Sequence, residues 1–129
     1  MIAVLYVALG GALGAMARYG VHQAMSTWEQ PFPWSTVAIN MAGSGVVGLL
    51  AGLWAGRDMG QSPERLVLMV GFLGAFTTFS TFANESTALL RAGQWGWFAL
   101  HGVLHNGLSM GAALLGWGCV YAARNHNIL

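Results

Sequence analysis

Residues 71–82 read Gly71-Phe72-Leu73-Gly74-Ala75-Phe76-Thr77-Thr78-Phe79-Ser80-Thr81-Phe82. Two glycines followed by hydroxyl and aromatic residues in alternation make a poor continuous helix. Yet this stretch lies inside an uncharged run, Leu66 to Asn84, bounded by Arg65 and Glu85. Crossing a bilayer takes about 20 mostly apolar residues. The two properties together predict a membrane-spanning helix that is broken near its middle. Side-chain hydroxyls then satisfy backbone groups freed by the break, and carbonyls and amides exposed at such breaks build ion sites in membranes.

The same spacing of charges recurs on either side. Met1 to Ala17 carries no charge before Arg18, and Gln30 to Gly56 carries none before the cluster Arg57, Asp58, Glu64 and Arg65. Ala92 to Ala123 is uncharged up to Arg124. These runs predict four helices, near 2–25, 35–56, 65–91 and 96–123. The first lacks the basic start of a cleaved signal peptide, and three further spans follow it. Residues 26–34, Ser-Thr-Trp-Glu-Gln-Pro-Phe-Pro-Trp, form an interfacial turn rich in proline and tryptophan, with Glu29 in that loop. Asp58–Pro63 and Gly93–Gly96 make the other two connections.

Composition agrees. Of the 129 residues 56% are hydrophobic and 7% are charged, against about 25% charged in soluble domains; the mean hydropathy is +0.58. Nine ionised side chains cannot coat a soluble particle, which excludes a cytosolic globular enzyme. The chain is expected to be one domain, 1–129, an all-α integral membrane protein. A net charge of +1 without a single lysine gives no footprint for nucleic acid, and the lone Cys119 excludes a disulfide within the chain. Four spans place both termini on one side, with Arg57, Arg65 and Arg124; Arg91 and Arg18 belong to the other. Three arginines against one, or two where Arg18 surfaces, is a weak orientation signal, as suits either a single topology or a protein that inserts both ways.

Nineteen glycines are too many for the linkers. Asn40, Ser44, Gly48, Gly52 and Gly56 recur every four residues, and Gly10, Gly14 and Arg18 form a similar row, as do Gly107 and Gly111. Small residues at this spacing let helix backbones approach closely, within one subunit or in an oligomer. Four thin helices scarcely enclose a site alone, which points to the oligomer.

Polar groups at membrane depth are costly and default to function. Asn40 lies deep in the second helix, flanked by Thr36 and Ser44; an interhelical hydrogen bond from it is worth about 0.6–2 kcal/mol. Phe76, Phe79 and Phe82 fall three apart, and phenyl edges carry positive quadrupole character, so they either line a path for a small anion or pack in the core. Glu85 stands one turn beyond Thr81, near the membrane edge. His101, His105 and Ser109 follow at four-residue steps, with Ala113 next. Two histidines at i and i+4 share a face and suit a metal, but no acidic partner accompanies them in sequence, and a polar stripe towards the bundle interior explains them better.

Three segments then match a family. Gly10-Gly11-Ala12-Leu13-Gly14-Ala15-Met16-Ala17-Arg18 resembles the GGxxGAxxR opening of the Fluc (CrcB) fluoride channels; Ser35-Thr36-Val37-Ala38-Ile39-Asn40-Met41-Ala42-Gly43-Ser44 resembles their GTLxVNxxGS segment; and residues 71–82 are similar to their GFxGGxTTFSTF signature. The resemblance keeps family order and runs through the four-helix chain. It implies an antiparallel, dual-topology homodimer in the bacterial inner membrane with two fluoride pores, contacting lipid, with passive export of fluoride down the membrane potential. Asn40 matches the pore asparagine; Phe79 and Phe82 match the pathway phenylalanines; Thr36, Glu85, His105 and Ser109 correspond to polar-track positions. Gly74 and Thr77 match a central sodium site built of backbone carbonyls, so one structural Na+ is implied at the dimer interface. Arg18 matches a first-helix arginine at the pore vestibule. Ser35 and Ala75 replace family glycines, and Ala113 stands where many members have a hydroxyl.

Two other functions compete. A small proton-coupled multidrug-type exporter also has about four helices, but that chemistry wants a carboxylate deep in the first helix. A structural membrane subunit without transport would use the polar track as helix glue. No nucleophile–base pair or metal cluster can be assembled, so no enzyme activity is expected.

Overall fold

The structure, a computed structural model, describes residues 1–28 and 31–126; the expected position of Glu29 in a loop lies outside the described residues. The chain is all-helical. Helix α1 is Ile2–Met25, α2 is Trp34–Trp54, α3 covers residues 63–76, α4 is Phe79–Arg91 and α5 is Trp95–Asn125. The third predicted span is thus split into α3 and α4, while the other three agree with the expected helices 2–25, 35–56 and 96–123 to within a turn. Four stretches, Ile2–Trp28, Trp34–Trp54, Pro63–Arg91 and Trp95–Asn125, are long and apolar enough to cross a membrane. At 1.5 Å per residue even the 21-residue α2 reaches about 30 Å, the thickness of a hydrocarbon core.

Burial is inverted relative to a soluble bundle. On α1, Gly10 and Gly14 are buried while Leu5, Leu9, Leu13 and Met16 point outward. Lipid solvates leucine as well as protein does, so close backbone packing, rather than apolar burial, holds the helices together. A Cβ on Gly14 would land on the carbonyl oxygen of Phe72, and one on Gly48 on the carbonyl oxygen of Ala113. These contacts pair α1 with α3 and α2 with α5, each pair running parallel, and α4 packs on α5. The small-residue row on α2 is therefore used within the chain down to Gly52, whose Cβ would meet Val120. Gly56 lies beyond the helix at φ 81°, in a turn. Gly107 and Gly111 on α5, by contrast, face nothing within 4 Å.

Helix ends follow local chemistry. Ser62 caps α3, accepting from the Arg65 N–H at 3.3 Å, with Pro63 in the first turn. At the end of α4, Gly93 at φ 70° donates its N–H to Leu90 O, and Gln94 donates to Leu89 O. This is the paired C-terminal motif that a left-handed glycine permits. The Arg124 guanidinium donates to Leu53 O (2.8 Å) and Ala55 O (3.3 Å). It thereby closes the C-terminus of α2 and brings the ends of α2 and α5 together.

Candidate functional site

Helix α3 begins with a turn, Pro63–Arg65, widens into a π-helical stretch over Leu66–Leu73 and closes with Gly74–Phe76. The wide turns seat Gly71 on α1, where a Cβ would lie 2.7 Å from Val7 O. The chain then leaves the helix: Thr77 adopts φ −77°, ψ 158° and Thr78 φ −154°, ψ 116°, both extended. The predicted break therefore falls at Thr77-Thr78.

The hydroxyls satisfy it as anticipated. Thr77 returns both its N–H (3.0 Å) and its Oγ1 (2.8 Å) to Leu73 O. Thr78 becomes the N-cap of α4, its Oγ1 accepting from Thr81 N–H at 3.2 Å and donating to Thr81 Oγ1 at 2.9 Å. Buried Asn40 supplies the rest, accepting from Thr78 N–H at 2.7 Å and donating from Nδ2 to Thr78 O at 2.9 Å. One carboxamide thus stands in for the helical acceptor that Thr78 N–H has lost and adds a donor to the N-cap carbonyl of α4. Its second Nδ2 proton faces His105 Nε2 at 3.3 Å.

From this hub a polar column runs between α2, α4 and α5. His105, 6% exposed, stacks on the Phe82 ring at 4.0 Å between centroids. Phe82 also touches His101 (4.9 Å) and Phe79 (5.5 Å). Fully buried Thr36 donates from Oγ1 to Glu85 Oε1 at 2.7 Å, and Glu85 Oε2 lies 3.6 Å from His101 Nε2. Ser86 Oγ is 3.2 Å from His101 Nδ1. Phe32, with no exposed surface, seals this end against Trp34 and Trp97 and stands edge-on to His101. On the other side of Asn40 a cavity of about 320 Å³ is lined by Ser44, Thr77, Thr78, His105 and Ser109. Among the described residues the Ser109 Oγ and the His105 Nδ1 have no hydrogen-bond partner there.

The structure accordingly brings together Thr36, Asn40, Phe82, Glu85, His105 and Ser109. Phe79 adjoins them but is 73% exposed on the outer face of the chain. Phe76 does not share their path: the break turns it away, and it stacks on Phe72 at 5.7 Å. Half-buried Arg18 sits one turn past Gly14 on the row that faces α3, outside the hydrogen-bonded column. Gly74 and Thr77 flank the break. The N–H groups that a continuous helix would aim at their carbonyls are those of Thr78 and Thr81, which go instead to Asn40 and to Thr78 Oγ1. Among the described residues no group of three metal-ligating side chains forms.

Three participants were not singled out from sequence. Thr78 is one hydroxyl among several in the sequence, although a threonine just before a new helix is an N-cap signal. Ser86, adjacent to Glu85, meets His101 across 15 positions. The third is His22, whose Nδ1 lies 2.6 Å from Ser35 Oγ; a lone histidine near a helix end carries no sequence signal of such a bond.

A four-span helical membrane protein with one span broken at a hydroxyl-rich pair, and a column of amide, hydroxyl, imidazole and phenyl groups beside the break, has the construction of a membrane transport protein. Comparison with known proteins makes the class specific. Residues 5–117 match the family described as CrcB-like protein, Camphor Resistance (CrcB). The fluoride-specific ion channel FluC of Magnetococcus marinus is 45% identical over 93 residues, covering 71% of this chain and 76% of that protein. That of Maridesulfovibrio salexigens is 43% identical over 120 residues, covering 90% and 87%. That of Rhizobium leguminosarum bv. trifolii is 41% identical over 117 residues, covering 90% and 94%. The chain belongs to the CrcB family and is a multi-pass membrane protein.

Proposed function

We propose that the protein is a fluoride-selective channel of the bacterial inner membrane, through which fluoride leaves the cytoplasm passively. The observation that carries this is the donor column: Asn40, His105, Thr36, Ser109 and the phenyl rings of Phe79 and Phe82, without a lysine anywhere in the chain, in a protein whose relatives are named fluoride-specific ion channels. Weak, multiple donors suit conduction, which needs binding favourable enough to dehydrate the ion and weak enough to release it. A negative interior drives the anion outward by about 2.3 kcal/mol per 100 mV, so no coupled energy source is required. These relatives are named as channels rather than enzymes, and no catalytic step is assigned to the chain.

The geometry indicates how fluoride would be handled. Asn40 can offer a proton only by releasing one of its two contacts. The 3.3 Å contact to His105 is the longer and so the weaker. Fluoride would replace His105 there while the bond to Thr78 keeps the break intact. One face of Phe82 is covered by His105, leaving its positive ring edge to the anion. Glu85, held by Thr36, borders the same column, and Arg18 would add positive potential at a vestibule.

The functional unit is proposed to be an antiparallel, dual-topology homodimer. Two features favour a second copy: Phe79 is mostly exposed at membrane depth, and the Gly107–Gly111 face of α5 is open. Both are expected of surfaces that a partner covers. The Gly74 and Thr77 carbonyls, released from the helical ladder, suit a hard cation such as Na+, which takes oxygen ligands. Two oxygens per chain from two antiparallel chains would hold it and neutralise their dipoles at the interface.

The test is reconstitution of purified protein in liposomes loaded with potassium fluoride, with fluoride efflux read by electrode after valinomycin. Rapid fluoride release with negligible chloride release under the same protocol is expected. Equal chloride release refutes selectivity, and no fluoride release from folded protein refutes the channel assignment.

A further inference from the structure

Residues 31–33 read Pro-Phe-Pro and lead the chain into α2. Pro33 adopts φ −78°, ψ 73°, the geometry at the centre of an inverse γ-turn. Trp34 N–H closes that turn by donating to Phe32 O at 2.9 Å. A proline ring fixes its own φ and restricts the residue before it, so covalent structure as well as packing sets the direction of Phe32. The clip has two faces. Pro31 and Pro33 line a surface pocket of about 410 Å³ with Glu85 and Gln94. Phe32 turns the other way and has no exposed surface.

The phenyl ring fills the end of the polar column. Trp34 and Trp97 hold it at 4.5 and 5.5 Å between centroids, and it meets the His101 ring nearly at right angles at 5.4 Å. Behind it His101 and Thr36 are fully buried, and Ser86 Oγ lies 3.2 Å from His101 Nδ1. Glu85 is the column residue that also lines the pocket, and its carboxylate accepts from Thr36. Among the described residues, pocket and column are therefore joined at Glu85, beside the ring. The helix crossing does not need a phenyl here, because α2 and α5 are already locked by the Gly48 and Gly52 contacts. A buried ring at the end of a polar path excludes water, and apolar constrictions of this kind control passage by dewetting.

We propose that Phe32 is a positioning residue for anion passage, a dry stop that confines the route between pocket and column to the Glu85 side and keeps water from Thr36 and His101. An ion crossing at this point sheds water before it meets the donors of the column. Truncating the ring opens the pocket to the column, wets it and lowers that barrier. Loss of a residue that only supported the fold would reduce or spare the current through each channel, whereas loss of a stop raises it. The proposal rests on the channel assignment above.

The test pairs two readouts on purified protein in a Cys119→Ala background. Ser86→Cys places a thiol beside His101, and its reaction with a small water-soluble methanethiosulfonate is followed by mass spectrometry. Adding Phe32→Ala is expected to speed that reaction at least about tenfold, a barrier change of about 1.4 kcal/mol, while Phe32→Leu, which keeps the apolar bulk, stays slow. The second readout is single-channel recording in planar bilayers at fixed fluoride and pH, with Ser86 intact. Phe32→Ala is expected to conduct at least about twofold more than wild type, about 0.4 kcal/mol of barrier, and Phe32→Leu to conduct as wild type does. Phe32→Val, a milder truncation, decides the matter should Phe32→Ala fail to fold, and is expected to move both readouts in the same direction. Unchanged thiol reactivity, or a current unchanged or reduced in the folded truncated variant, overturns the proposal alone. Absence of any wild-type fluoride current overturns the channel assignment and the proposal with it.

Discussion

Replacing Asn40 by alanine removes the carboxamide that satisfies both backbone groups of Thr78. Because Thr78 sits at the break, its N–H has no helical partner, while its carbonyl, as that of the N-cap, also opens the ladder of α4; Thr78 is 7% exposed. Two magnitudes separate the possible roles of Asn40. An asparagine that merely glues helices together in a membrane is worth about 0.6–2 kcal/mol. A buried donor left unsatisfied costs about 1–3 kcal/mol and an ordinary hydrogen bond about 0.5–1.5 kcal/mol; alanine at position 40 would strand the Thr78 N–H and remove one bond to Thr78 O, so the expected loss is about 1.5–4.5 kcal/mol. The lost contact to His105 adds little at its length of 3.3 Å. The assay is equilibrium unfolding in mixed detergent micelles, followed through the six tryptophans. Asn40→Asp is the informative companion. It retains an acceptor for Thr78 N–H but sets a second oxygen against Thr78 O, where Nδ2 now donates at 2.9 Å, and it has no amide proton for fluoride. It is expected to abolish fluoride conduction in protein that still folds. An Asn40→Ala protein within about 1 kcal/mol of wild type would refute the bracing role argued from these distances. Retained flux in Asn40→Asp would remove the amide from the mechanism.

Other substitutions address the packing and the path. Gly48→Val should force α2 from the Ala113 carbonyl and lower stability by about 1–3 kcal/mol; unfolding measurements alongside Gly107→Val, on an open face of the isolated chain, check whether the cost is specific to the closed crossing. Thr78→Val removes the cap of α4 and should cost about 0.5–2 kcal/mol, with Thr78→Ser recovering most of it. Phe79→Ala should leave the helical content of the chain unchanged, since the ring is largely exposed, yet reduce fluoride efflux by at least about tenfold, roughly 1.4 kcal/mol of barrier. Unaltered efflux would take Phe79 out of the path. Cross-linking of a cysteine placed at Gly111 in a Cys119→Ala background should yield dimers in native membranes, because a Cβ at Gly111 meets nothing within 4 Å among the described residues; monomer alone would count against that face as the interface.

What could be read from the sequence follows from which forces act locally. The spans were legible because a charge inside a bilayer is expensive whatever its neighbours, so Arg57, Arg65, Arg91 and Arg124 mark boundaries without reference to tertiary structure, while Arg18 lies within α1, two turns before its end. The break was legible for a similar reason: glycine and threonine weaken a helix on their own account, and hydroxyls repair one locally, as Thr77 does at Leu73 O. The location of the break was not, because the partner that makes Thr78 tolerable in an extended conformation is Asn40, 38 residues away. The same limit explains Phe76. Its spacing from Phe79 and Phe82 implies a shared face only if the helix runs on, and two extended residues intervene. The π-helical turns of Leu66–Leu73 left no local trace either, since they seat Gly71 on the backbone of α1. His101 and Glu85 stand 16 positions apart and meet only because Gly93 ends α4 with a left-handed turn and sends α5 back alongside it. Motif matching places residues on a track one at a time. The coupling among them, with Asn40 bracing the break and Thr36 holding Glu85, arises from the helix crossings, and it is in those couplings that the chemistry of this chain is set.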